Sequence, residues 1–359
     1  MPDALPDKPT SFTRHVWIAV GIVVLTLAIW KLAPVLLLFF AGVTFAVAIR
    51  AGADPIARRL HVNEVWGVAI VGLLVLLAII AGGYFFGQRV TGQAQELLAA
   101  LQQAWVKVQE WIARVPFGDS VVEHMQAASS QTEDAVAKVA KGTFTVFGAI
   151  ADVALVIFLS LYLAANPATY RDGLLLMLPP ATRPRVGEAL DSSAVTLRKW
   201  LLGQLVSMVV VGVITGIGLW AIGVPLAIPL AILSGLLEFV PVVGPLVAAV
   251  PGILIAFTQG PEVALYAVLV YSGVQFIEGN FVMPLAQRWA VSLPPALSLV
   301  GIVGFGLLFG VMGVLFAMPL LVVVVTMVNK LYVERMSAEL PPADPSPSDI
   351  PDRLKRKRS

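Results

Sequence analysis

Two carboxylates stand where an apolar chain has little use for charge. Between Trp200 and Asn329 the charged residues are Glu238, Glu262, Glu278 and Arg288. Glu262 follows Gly260-Pro261 and reads as part of a surface turn, while Arg288 lies in the polar connection Gln287-Arg288-Trp289. Glu238 and Glu278 differ from these. Each lies inside an apolar stretch, and each is followed by a helix-breaking sequence. After Glu238 the chain reads Phe239-Val240-Pro241-Val242-Val243-Gly244-Pro245, and two prolines and a glycine do not fit one straight helix. Glu278 belongs to Gln275-Phe276-Ile277-Glu278-Gly279-Asn280, with Pro284 beyond. A carboxylate at the bilayer centre costs roughly 2.5–3.5 kcal/mol on the insertion scale, and is tolerated where it faces a pathway or a partner. Glu278 is the first candidate for exchanging a proton or cation. Gly279 lets the backbone open beside it, and Gln275 and Asn280 supply amides. Glu238 is the second candidate; its competing reading is a packed acid that braces the break at Pro241 and Pro245. For Glu278 the competing reading is a residue at a helix end, snorkelling to the headgroups.

The elements that must hold these residues are membrane helices. Of 359 residues, 58% are hydrophobic and 13% charged, against roughly 25% charged in a soluble domain, and mean hydropathy is +0.88. Apolar runs cover Val16 to Trp30, Pro34 to Ile49, Val65 to Phe86, Gly142 to Ala165, Leu201 to Val224 and nearly all of Leu226 to Val328. They lack the alternation of a membrane barrel. The expectation is an all-α polytopic membrane protein with about five to eight spans of ~20 residues. Cysteine is absent, and the histidines are His15, His61 and His124, so thiol chemistry is excluded and no metal site is evident. No Walker sequence or Ser-His-Asp arrangement appears, so the chain is not expected to be an enzyme, and no cofactor is expected.

The stretch from Pro225 to Thr258 is too short for two full crossings of ~20 residues each. So is that from Pro294 to Val328, which is interrupted by Gly301, Gly304, Gly306, Gly310, Gly313 and Pro319. Both read as Gly/Pro-broken helical hairpins with short arms. The order is span, hairpin, span, hairpin, which makes an inverted-topology repeat, the arrangement that in many transporters sets the substrate site between broken helices.

Basic residues in short loops set the orientation. Arg50, Arg58 and Arg59 follow the second run, and Arg171, Arg183, Arg185, Arg198 and Lys199 lie before the fifth, while the turn expected between the first two runs carries only Lys31. These linkers, and with them both termini, are expected in the cytoplasm. Residues 1–11 and 334–359 read as disordered tails. The second ends in the basic run Arg353 to Arg358, suited to anionic lipid rather than nucleic acid. Residues 12–87 are expected to form three transmembrane helices, 88–141 a periplasmic helical insertion, 142–165 a fourth span, 166–199 a cytoplasmic linker helix, and 200–333 the core with both hairpins. In the insertion, Val90, Ala94, Leu97, Leu101, Trp105, Val108, Ile112 and Val115 mark one apolar helix face, and Pro116-Phe117-Gly118 breaks it.

The motifs quoted for Glu238 and Glu278, together with Gly203-Gln204 and Gly310-Val311-Met312-Gly313 through Pro319, resemble the AI-2E transporter family, and the layout matches over nearly the whole chain. The resemblance implies a secondary transporter of the bacterial inner membrane. Some members are linked to export of the signal autoinducer-2 and others to Na⁺(Li⁺)/H⁺ antiport. It implies a homo-oligomer, with pentamers described, and elevator-like movement of the C-terminal part. One departure concerns the connection after Pro284, which in the family carries a basic residue early. Here Leu285-Ala286-Gln287 precede Arg288, the candidate for substrate contact. A cation/proton antiporter and a non-transporting scaffold stay open as alternatives to a solute exporter.

Overall fold

A computed structural model describes residues 11–113, 146–284, 293–334 and 336. Regular structure among the described residues is helical. Helices α1 (Ser11–Leu60) and α2 (Glu64–Ala113) are each 50 residues long. They meet at a tight turn where His61 takes a φ of +55°. Helix α3 (Val146–Ala165) is followed by α4 (Pro167–Leu176), bent 86° from it where Asn166 and Pro167 interrupt the helix. Helix α5 runs from Arg183 to Ala221, α6 from Ala227 to Leu237, α7 from Val243 to Phe257 and α8 from Pro261 to Ile277. A π-turn, Glu278–Val282, extends α8. Helix α9 (Pro295–Val328) leads into a second π-turn, Asn329–Val333.

Two boundaries differ from the sequence expectation. The turn placed near Lys31, between two short spans, is absent, and α1 continues through Lys31 and Pro34. A proline removes one hydrogen bond and kinks a helix, and membrane helices accommodate this when neighbouring groups satisfy the freed carbonyl. Likewise α2 does not end near Phe86; the face expected of a separate insertion helix belongs to the same rod. Val115, the break at Pro116-Phe117-Gly118 and both tails, apart from Ser11, Glu334 and Met336, lie outside the described residues. At α5 Thr182 occupies the N-cap position, Pro184 sits in the first turn, and the helix runs from the linker into the span without interruption. The Thr182 hydroxyl donates back to Pro179 O at 2.9 Å instead of capping.

Both hairpins are present. Arms α6 and α7 have 11 and 15 residues, about 17 and 23 Å at 1.5 Å per residue. Each is shorter than the ~30 Å that a straight crossing of the hydrocarbon needs. The second hairpin hides inside α9, which reverses at Gly310 (φ +64°, ψ −147°). Its arms lie antiparallel: Gly301 packs on the Leu321 side chain and Gly306 on Val314.

The bases of the two hairpins lie at opposite ends of α5. Val224, Ala227 and Leu230 pack with Leu219, near the α5 C-terminus, in a cluster that also receives Ala100 and Leu101 of α2. Lys107 of α2 donates to Thr258 O at 2.8 Å, beside that base. The second hairpin starts at Leu293, packed with Leu197 and Trp200, and ends beside Lys330, paired with Glu188 of α5 at 3.4 Å.

Candidate functional site

At the tip of the first hairpin the chain must reverse between Leu237 and Val243. Val242 takes a φ of +71°, a strained conformation for a β-branched residue. Pro241, Gly244 and Pro245 are all buried there. Gly244 lies so close to the Leu237 carbonyl that a Cβ would overlap it. The second hairpin repeats the device, with Gly313 pressed on the Phe305 carbonyl and Pro319 fully buried.

Glu238 closes the C-terminus of α6 and is 1% exposed. Its carbonyl accepts a 2.5 Å hydrogen bond from Gln204 Nε2 of α5, so the backbone freed by the break is satisfied by a neighbouring helix. Its carboxylate Oε2 has no partner among the described residues. The bracing of this hairpin therefore comes from the Glu238 backbone, and Oε2 takes no part in it among the described residues. Phe239 stacks edge-on against Trp200 with ring centroids 6.0 Å apart. Phe239, Val240 and Val243 pack on the cluster holding Ala317, Met318, Leu321 and Val322 of the second hairpin, so the tip of one hairpin meets the body of the other.

Glu278 opens the π-turn at the end of α8 and is partly buried. Such one-turn π segments are frequent at functional sites. Glu278 lies close enough for its charge to act on Glu238. Gln275, one turn earlier, is half-buried. Asn280 is exposed, and its Nδ2 donates to Phe276 O at 2.8 Å, so its amide serves its own turn. Gly279 faces open space and Pro284 is exposed. Arg288 lies outside the described residues. The structure thus places Glu238 at the first break, with Glu278 near enough for its charge to act on it. Sequence reasoning missed Gln204 as the Glu238 clamp, 34 positions away. Its signal was an amide in an apolar span at a buried helical position.

These features define a polytopic helical membrane protein with two helical hairpins based at opposite ends of α5 and a buried carboxylate at the tip of the first. Residues 18–332 match the AI-2E family transporter profile, and the chain belongs to that family of membrane transporters. Among curated proteins it is similar to "Putative transport protein YueF" of Bacillus subtilis, 25% identical over 308 residues, covering 80% of this chain and 81% of that one. It is 29% identical to "Putative transport protein YrrI" of the same organism over 182 residues, a match spanning 51% of each chain. It is 33% identical to "Putative transport protein YdiK" of Escherichia coli over 162 residues, 45% of this chain and 42% of that one.

Proposed function

We propose that this chain is a secondary transporter of the bacterial inner membrane that exports a small polar solute of the autoinducer-2 kind, coupled to protons at Glu278 and Glu238. The supporting observation is that the tip of the first hairpin, which carries Glu238, packs on the second hairpin, with Glu278 near enough for its charge to act on Glu238. Broken helices placed this way offer backbone dipoles and unpaired groups to a polar solute near mid-membrane. Residues 200–333 form the transport core, both termini are cytoplasmic, and the protein works as a homo-oligomer. Arg288 is the proposed substrate contact.

A second reading, Na⁺(Li⁺)/H⁺ antiport, is favoured by one feature: the unpartnered oxygen of Glu238 suits a proton or a small cation. Proteoliposomes separate the readings. Solute export predicts solute flux driven by a pH gradient, with or without Na⁺. Antiport predicts that Na⁺ or Li⁺ alone collapses a pH gradient. Neither flux from active-site-competent, correctly folded protein would leave the scaffold reading.

A further inference from the structure

Four buried side-chain oxygens have no hydrogen-bond partner among the described residues: Ser207 Oγ, Thr215 Oγ1, Glu238 Oε2 and Tyr271 OH. Buried polar groups are ordinarily paired, and each exception needs a reason. Other buried hydroxyls of this protein find the usual one. Thr44, Ser160, Ser193 and Thr326 each donate to the carbonyl four residues back, at 2.9, 2.5, 2.7 and 2.7 Å. Ser207 and Thr215 sit in an equally regular helix, yet do not.

Three of these oxygens follow the contact of α5 with the first hairpin, and the Tyr271 hydroxyl borders it, near Ser234 of α6 and against Gly252 of α7. Gln204, Ser207, Val211 and Thr215 follow one buried face of α5. Helix α6 lies antiparallel to α5, with Gly235 beside Met208 and Gly212, and Ala231 beside Gly212 and Gly216. Ser234 is therefore level with Val211, between Ser207 and Thr215, and Glu238, one turn on, is level with Ser207 and within reach of Gln204. Tyr271 of α8 faces Ser234, whose own proton goes to Leu230 O at 2.8 Å. Thr215 lies nearest the α5 C-terminus, where the first hairpin has its base. The oxygens are strung out, since Ser207 and Thr215 are separated by about 12 Å of helix. They cannot surround one metal cation, which needs several oxygens about a single point.

We propose that Thr215, Tyr271 and Ser207 line a proton path from the base of the first hairpin to the Glu238 carboxylate. The proposal deepens the transport reading and rests on it. Successive oxygens are about a helical turn apart, so bridging waters complete the chain. Each oxygen takes up one proton and passes on another, until Oε2 binds one and the carboxylate becomes neutral. No electron moves. Among the described residues around Glu238, Glu278 of the π-turn is the one charged neighbour acting on it. Helix α5 presents Gln204 and Trp200, α8 adds Tyr271, and the second hairpin presents apolar side chains.

The test is a pH jump on full-length protein in liposomes, without solute, followed by time-resolved infrared spectroscopy. The Glu238 carboxyl band is the one lost in Glu238→Gln. Ser207→Ala, Thr215→Val and Tyr271→Phe remove one oxygen each at nearly constant shape, and circular dichroism checks their folding. Each is expected to slow the appearance of that band about a hundredfold, the low end for losing a positioned proton-transfer group. Thr326→Val, which loses a hydroxyl off the path, is expected to keep the wild-type rate. Wild-type rates in the triple variant, or no Glu238 band at all, would overturn the path. Failure of the transport reading shows separately, as absent proton-driven flux in wild type while the band still forms at a hydroxyl-dependent rate.

Discussion

Glutamine at 278 separates charge from shape, since it keeps the size of the side chain and cannot ionise. Glu278→Gln protein is expected to fold and assemble as wild type, and to lose proton-driven flux together with its pH dependence. The loss is expected to be about a hundredfold, the scale of a removed proton-transfer group. Flux measured across a pH series checks this, and a wild-type profile would make Glu278 a structural residue. Gln204 acts differently, because it satisfies a carbonyl that the hairpin break leaves open. Gln204→Leu leaves the Glu238 carbonyl buried and unpaired, at a cost of about 1–3 kcal/mol. Thermal unfolding of the purified protein in detergent is expected to show a lower midpoint. An unchanged midpoint would mean that water or another donor replaces the amide.

Each hairpin closes on a glycine set against a carbonyl. Ala at Gly244 or Gly313 would drive its Cβ into Leu237 O or Phe305 O, and backbone cannot step aside as a side chain end can. Both substitutions are expected to destabilise the protein by about 1–3 kcal/mol or more, as overpacking does. Gly279→Ala is the contrast: nothing lies within 4 Å of its Cβ position, so its stability is expected to match wild type. Comparing the three unfolding midpoints checks the geometry, and equal midpoints would show that the tips are loosely packed. The hairpins were legible in the sequence because proline, glycine and short apolar length each forbid a straight crossing. The carboxylates were legible because charge is rare in the surrounding 130 residues. The turn expected at Lys31 failed for the converse reason: one proline in a membrane helix kinks it without ending it. Ser207, Thr215 and Tyr271 carried no such mark. A lone hydroxyl is unremarkable in a membrane helix, and its meaning here lies in the hydrogen bond it does not make.

At the scale of the molecule, the two hairpin bases lie at opposite ends of α5, and this fixes a relation among distant positions. Arg59 ends α1 and Ser192 lies in the first third of α5. The two regions are tied together by Arg198, whose guanidinium donates to Asp54 at 2.7 Å and to Ala51 O at 3.0 Å. Gln259, in the exposed turn after the first hairpin, lies beyond the other end, next to Lys107 and bonded to Gly223 O at 3.0 Å. The chain has no native cysteine, so single thiols report without background. With the proposed orientation, Arg59→Cys and Ser192→Cys are expected to be shielded from an impermeant thiol reagent in whole cells and labelled after permeabilisation. Gln259→Cys is expected to be labelled from outside. The pattern with all three reversed would keep the opposed hairpins and invert the protein in the membrane. Labelling of all three from one side would place both hairpin bases on that side, and would remove the opposed arrangement on which the transport reading stands.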